Sequence, residues 1–362
     1  MLRRRTTFVI GAGSSCELGL PSGERLKSHI TQILQPTPHN FYQFSDDRLL
    51  RAFQAVLQPI TEEDRIMMAR FASAGAKIRS GLPMALSIDN FLHTHQGDGD
   101  VVALGKLAIT IAILQAERAS LLFKPEDTQP TVASTSIDPL YGASLHDESW
   151  FPKLAGLLFS QVSADDPVKA FDGVTFIVFN YDRCLEQFLW LAARAYFGMS
   201  EGEAADLLAT VRFIHPYGTV GQLPWQNETG AGVLFGSDQF ADIWAASAQL
   251  KTFTESVDSE LSGQITEAVT TAGDLALLGF GYLDQNVTLL RAGVACQAGR
   301  VFTTAYGLAP PDQDMVYNAL SSIVGMSLGA WNDRSRSGTP AYLETGTCRD
   351  LLTHHHLQLT LA

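Results

Sequence analysis

Five short apolar runs, separated by helical stretches, constrain the fold of this chain more than any other feature. They are "TTFVIG" (6–11), "GVTFIVFNYD" (173–182), "VRFIHPYG" (211–218), "DLALLGFGYLD" (274–284) and "RVFTTAYG" (300–307). Each is rich in β-branched and aromatic residues and ends in glycine or polar turns. Runs of this length without polar alternation mark strands covered on both faces, as in a parallel sheet. Helical patterns stand between them. "SGERLKSHITQIL" starts at Pro21 and Ser22, and "RCLEQFLWLAARAYFG" has Asp182 as its expected N-cap. "SEGE" (200–203) is a capping box, two helical stretches cover roughly 239–272, and "QNVTLLRAGVACQAG" follows the fourth run. Strands alternating with helices predict βαβ units. The expected fold class is therefore α/β: a Rossmann-like parallel sheet flanked by helices.

One stretch breaks the alternation. From about 40 to 125 the chain shows helical spacing and little strand signal, in "DDRLLRAFQAVL", "TEEDRIMMARFASAGAKIR", "SIDNFLHTH" and "VVALGKLAITIAILQAERASLLF". It reads as a helical insertion after the first βα unit, closed by a Pro/Ser/Thr-rich loop at 125–149. The expected division is a sheet domain over 1–35 and 150–362, and a helical insertion and loop over 36–149. The tail, 312–362, carries a helix, a "DRSRSGTP" loop and weak strand signals.

Composition narrows the function. Hydrophobic residues are 46% and charged residues 17%, enough to build a large core. The 25 basic and 38 acidic residues give a net charge of −13. No direct nucleic-acid partner is expected, because phosphate contacts need a basic surface. Backbone amides and helix ends still allow one anionic ligand in a local pocket. Cys16, Cys184, Cys296 and Cys348 are widely spaced, with no CxxC pair, so reduced thiols and no metal are expected. The apolar stretch near the N-terminus is too short for a leader, and no uncharged 18-residue apolar stretch predicts a membrane span. The reading is a cytoplasmic protein.

Chemistry on a parallel sheet gathers at the carboxyl ends of its strands. Here those ends carry Gly11-Ala12-Gly13-Ser14-Ser15, Asn180-Tyr181-Asp182, His215-Pro216-Tyr217-Gly218 and Gly279-Phe280-Gly281. The first turn lacks the third glycine of the dinucleotide fingerprint, since Cys16 stands there. Its small residues let backbone amides approach a pyrophosphate, and the helix after Pro21 adds its positive end. Asn180 can hold a water or a ribose hydroxyl, and His215 can accept a proton near neutral pH. Asp89 in "SIDNFL" either faces the site from the insertion or, the favoured reading, joins Ser87 as a helix start, and the run His354–His356 is read as solvated rather than metal-binding.

"GAGSSCELGLP" (11–21) resembles the sirtuin pattern GAG-x-S-x-x-S-G-I-P: Gly11, Ala12, Gly13, Ser15, Gly19 and Pro21 match, and Leu20 replaces isoleucine. "FNYD", "HPYG", "LLGFGYLDQN" and "TTAYGL" follow in the order of the Asn motif, the catalytic-His motif, the ribose-contacting turn and the later strand of sirtuin-like bacterial proteins. The resemblance spans about 1–35 and 150–310. The four-cysteine zinc module of sirtuin deacylases is missing, and Pro21-Ser22-Gly23-Glu24 replaces their P-D-F-R. The chain is thus most similar to the zinc-less, NAD-hydrolysing effectors of bacterial anti-phage defence. That resemblance implies NAD as substrate, cleaved to nicotinamide and ADP-ribose. It implies catalysis by Asn180 and His215, and NAD contacts from Gly11, Ala12, Gly13, Ser14, Ser15, Pro21, Asp182, Gly279, Gly281 and Tyr282. It also implies a homo-oligomer and a sensing partner, such as a HerA-type ATPase or an Argonaute-like protein. A non-catalytic NAD or ADP-ribose sensor that regulates a partner, and a protein deacylase, remain as alternatives.

Overall fold

The computed structural model describes residues 2–38, 40–56, 61–124, 140, 142–256, 259–331 and 338–361. Its strands are β1 (Thr6–Ile10), β2 (Pro36–Thr37), β3 (Asn40–Phe44), β4 (Val174–Val178), β5 (Arg212–Ile214), β6 (Asp274–Leu278), β7 (Arg300–Thr304), β8 (Leu328–Trp331) and β9 (Thr339–Glu344). Seven of them form one sheet in the order β5-β4-β1-β6-β7-β9-β8, with every pairing parallel. The α/β, Rossmann-like expectation is met, with helices on both faces. From β1 the chain builds outward through β4 and β5, then returns to β1's other side with β6. Such a reversal of strand order opens a crevice at the carboxyl ends. Register fixes its floor: Ile10 lies opposite both Val178 and Leu278, and Ile177 opposite Ile214.

Alternate residues of the strands serve opposite faces. Val9, Ile177, Ile214, Leu275, Leu277 and Val301 join one apolar cluster. Phe8, Ile10, Phe176, Val178, Leu278 and Phe302 join the other. Phe8, Phe176 and Phe213 stack across three strands at centroid spacings of 5.4 and 5.3 Å. Each fully buried side chain of this size contributes about 1.5–3 kcal/mol. The second face is covered by helices Phe151–Phe159, Cys184–Phe197, Glu201–Ala209 and Cys348–His354.

The region read as an insertion joins the first-face cluster, beside helices Gly23–Ile33, Ser259–Thr270 and Pro310–Val324. Phe71, Ile78, Leu104, Leu107 and Ile111 lie in the same cluster as the sheet residues Val9 and Ile177. Helix Gly99–Ala119 is long and apolar enough to cross a membrane by length and composition, yet 67% of its most apolar window is buried inside the protein. Its last turn carries Glu117, fully buried against Arg183. Arg183 Nη2 lies 2.5 Å from Glu117 Oε2, and Nε and the Arg183 amide reach Oε1 at 3.1 and 3.0 Å. The guanidinium also donates to the carbonyls of Val233 and Leu234, and Glu117 accepts from the Gly236 amide. This pair ties the helix, the end of β4 and the glycine-rich 219–238 loop together.

Several boundaries differ from the sequence reading. Pro36–Thr37 and Asn40–Phe44 pair as an antiparallel ribbon, β2 with β3, at the start of the segment read as a helical insertion. The weak strand signals of the tail become β8 and β9, two full members of the sheet. The helix after β6 runs only Asp284–Leu290. Arg183, not Asp182, occupies the N-cap of Cys184–Phe197, although the Asp182 carboxylate still accepts from the Cys184 amide at 3.1 Å. Ser22 and Ser200 cap their helices as expected. Most of the 125–149 loop and of "DRSRSGTP" lies outside the described residues.

Candidate functional site

The glycine turn closes against the end of β6. The Gly11 amide donates to the Leu278 carbonyl at 2.9 Å, and the Gly13 amide to the Gly279 carbonyl at 3.0 Å. Ser14 returns both its amide and its hydroxyl to the Gly11 carbonyl, at 3.0 and 2.8 Å. A Cβ on Gly11 would meet Gly279 O at 2.5 Å, and one on Gly279 would meet the Ser14 nitrogen at 2.0 Å. Gly279 also sits at φ +59°, in the left-handed region. The glycines are thus demanded by two loops in backbone contact, and the amides expected to meet a pyrophosphate are engaged inside the protein. Ala12 and Gly13 stay exposed and form the solvent face of the turn. The helix directly after β1 is only Ala12–Ser15; the longer one begins at Gly23, with Pro21 ahead of its cap. Gly279→Ala is expected to cost about 1–3 kcal/mol from the left-handed backbone alone, read as a lowered urea midpoint. An unchanged midpoint would refute this account of the turn.

Ser15 joins the turn to β4. Asn180 Nδ2 donates to Ser15 Oγ at 2.9 Å, and Ser15 Oγ donates to Asp182 Oδ1 at 3.2 Å. Asn180 and Asp182 are both buried. Asn180 Oδ1 is buried with no hydrogen-bond partner. Burial pushes the Asp182 carboxyl up to about 6, with the charge of Glu117 adding to it. Between the ordinary value of 3.8 and this one, the folded chain holds a proton that the unfolded chain has released. Stability from this group is therefore full below about pH 4 and lost as pH rises through 6. Two units correspond to about 3 kcal/mol as an order of magnitude. Asp182→Asn is expected to flatten the dependence of the unfolding free energy between pH 4 and 6. Urea titrations at both ends of that window check it.

His215 follows β5 and meets the helix behind β4. Its Nε2 lies 2.5 Å from Glu186 Oε1; the Glu186 side chain is 2% exposed and the His215 side chain 18%. His215 Nδ1 and Glu186 Oε2 are buried with no partner, like Asn180 Oδ1. Ile177 and Ile214 pair in register, so Asn180 and His215 stand at the ends of adjacent strands. Val178 and Cys184, flanking Asn180 and Asp182, belong to the second-face cluster, on which Glu186's helix packs.

The neighbouring residues turn to the other face. Phe179, Tyr181, Tyr217 and Phe280 all belong to the first cluster. Phe179 packs edge-on to Tyr217 and Phe280 at 5.9 and 5.2 Å. Tyr217 donates to Asn286 Oδ1 at 2.6 Å. Tyr181 donates to Asp89, which reaches it from helix Ile88–Thr94 of the insertion. Ser87 caps that helix as expected, accepting from the Asn90 amide at 3.0 Å, so Asp89 is released to cross to the sheet. Burial raises the Asp89 carboxyl above its ordinary value. Tyr282 adopts φ +51°, and its hydroxyl is hydrogen-bonded to Thr303, while Gly281 is exposed beside it.

Glu186 is the principal residue the sequence reading missed. It stands within the apolar helix "RCLEQFLW", and a carboxylate inside such a run was the available signal. Glu17 is another: its carboxylate accepts from the Cys348 amide at 2.7 Å and couples the glycine turn to helix Cys348–His354. Burial raises the Cys16 thiol, which does not favour thiolate chemistry beside the turn. His354 pairs with Glu344 at 2.7 Å. Among the described residues, no group of three or more His, Cys, Asp or Glu is placed to hold a metal ion. One surface cleft, lined by Arg5, Asp172, Arg212 and Glu267, lies at the opposite, amino ends of β1, β4 and β5. Scanned against family models and against curated proteins, the chain returns no match.

Proposed function

We propose that this chain is an NAD glycohydrolase that cleaves the nicotinamide–ribose bond to give nicotinamide and ADP-ribose. The observation that carries the reading is the pair of unpartnered buried polar atoms, Asn180 Oδ1 and His215 Nδ1, at the carboxyl ends of adjacent strands. Buried polar groups are nearly always hydrogen-bonded, so unpaired ones at a strand-end crevice favour a site built for a polar ligand. Cleavage builds positive charge on the ribose carbon, as in glycoside hydrolysis. Nicotinamide leaves neutral, so the leaving group requires no strong acid. Asn180, oriented by Ser15, accepts a hydrogen bond from a ribose hydroxyl or the attacking water. His215 takes the proton released. Ala12, Gly13 and Gly281 form the exposed rim over which the diphosphate runs, with Asp182 behind Ser15 and Tyr282 beside Gly281.

The sirtuin-like motif order, not the geometry, suggests the biological setting: an effector of anti-phage defence that depletes cellular NAD, assembled with copies of itself and with a sensing partner. Incubating the purified chain with NAD and separating the products tests the chemistry. Equimolar nicotinamide and ADP-ribose are expected, and NAD recovered intact would favour the sensor reading instead.

A further inference from the structure

We infer that Glu186 is the positioning residue of His215: it holds the imidazole as the Nε2–H tautomer, so that Nδ1 is the nitrogen that accepts the proton. The argument begins at the helix. Glu186 lies in the first turn of Cys184–Phe197, where the aligned peptide dipoles favour a negative charge. Its side chain is almost wholly buried, and Oε1 is 2.5 Å from His215 Nε2, closer than an ordinary N–H···O hydrogen bond, so the two side chains are directly paired. A carboxylate only accepts, whereas a neutral imidazole carries one N–H. The shared proton therefore resides on Nε2. The other nitrogen, Nδ1, is left with its lone pair, buried and without a partner.

Which nitrogen carries the proton is decided by the hydrogen bond the other one makes. A carboxylate behind an imidazole fixes ring orientation and stabilises the imidazolium formed when the ring takes a proton. Proton balance is simple. Nδ1 takes one proton from the water or ribose hydroxyl, Nε2–H stays hydrogen-bonded to Glu186, and Glu186 remains ionised. The second carboxylate oxygen, Oε2, is also buried with no partner. The catalytic role of His215 rests on the function proposed above, but the tautomer does not.

The test separates the two. The protein is labelled with ¹⁵N-histidine, and long-range ¹H–¹⁵N correlation spectra are recorded at neutral pH. His215 is assigned by its loss in His215→Gln. A protonated Nε2 and a pyridine-like Nδ1 are expected in the wild type. In Glu186→Gln the two nitrogen shifts should move toward a mixed population. If wild-type His215 instead carries its proton on Nδ1, or if Glu186→Gln leaves the pattern unchanged, the inference fails, whether or not the protein cleaves NAD. Where NAD is cleaved, Glu186→Gln should lower kcat about 10–100-fold with KM little changed, and Glu186→Asp should recover part of the loss. Should Glu186→Gln not fold, the wild-type spectrum alone decides.

Discussion

Replacing His215 by Ala is expected to lower nicotinamide release from NAD by about 10²–10⁴-fold, the usual contribution of a positioned general base. Asn180→Ala should depress turnover to a similar degree through loss of orientation. The two substitutions differ in what they leave behind. Without His215, Glu186 keeps a buried carboxylate whose hydrogen-bond donor is gone. Without Asn180, Ser15 loses a donor but keeps Asp182 as its acceptor. His215→Ala should therefore also lower stability, whereas Asn180→Ala should cost little. Measuring nicotinamide release, NAD affinity and the urea midpoint for each variant separates chemistry from folding. Wild-type turnover in both variants would remove the proposed assignment and turn attention to the sensor reading.

The second large effect concerns Glu117 and Arg183. Both side chains are buried, and their charged atoms are satisfied by each other and by backbone groups of the 219–238 loop. Breaking such a pair from one side leaves a buried charge uncompensated, at a cost of about 3–5 kcal/mol. Arg183→Met is expected to lose that much unfolding free energy. Combining it with Glu117→Gln should be markedly less damaging than the sum of the single changes, because the stranded charge is removed. Denaturant titrations of the two single variants and the double variant form the necessary cycle. Strict additivity would mean that the two side chains do not act as a pair.

What was legible in the sequence was the set of unbroken apolar runs, since a strand buried on both faces leaves a mark that depends on no distant contact. All five became strands of one parallel sheet. β8 and β9 left only weak signals because glycine and proline interrupt them: "TPAYLE" is held as a strand beside β7, and "LGAW" beside β9. Gly11 and Gly13 correctly announced a close backbone approach. The approaching group is the chain's own Gly279 loop, and nothing local to the first turn names a partner so distant in sequence. Asn180 and His215 were readable as polar groups at strand ends. Glu186 left only the faint mark of a carboxylate in an apolar helix, and Asp89 was read mainly as a helix start, because their partners His215 and Tyr181 are brought to them by the strand order and by the insertion's docking.

A stretch that interrupts a sheet domain in sequence invites treatment as a cassette, removable or exchangeable between scaffolds. The shared apolar cluster denies it that independence. Phe71, Ile78 and Leu104 share one continuous interior with Val9, Ile177 and Ile214 of the central strands. Excision would open the interior that the central strands share with it; transplantation would expose apolar side chains such as Phe71, Ile78 and Leu104, although its outer side carries charges such as Arg70 and Lys77. Whatever grips the outside of this segment therefore grips the ends of β4 as well, through Asp89 on Tyr181 and Glu117 on Arg183.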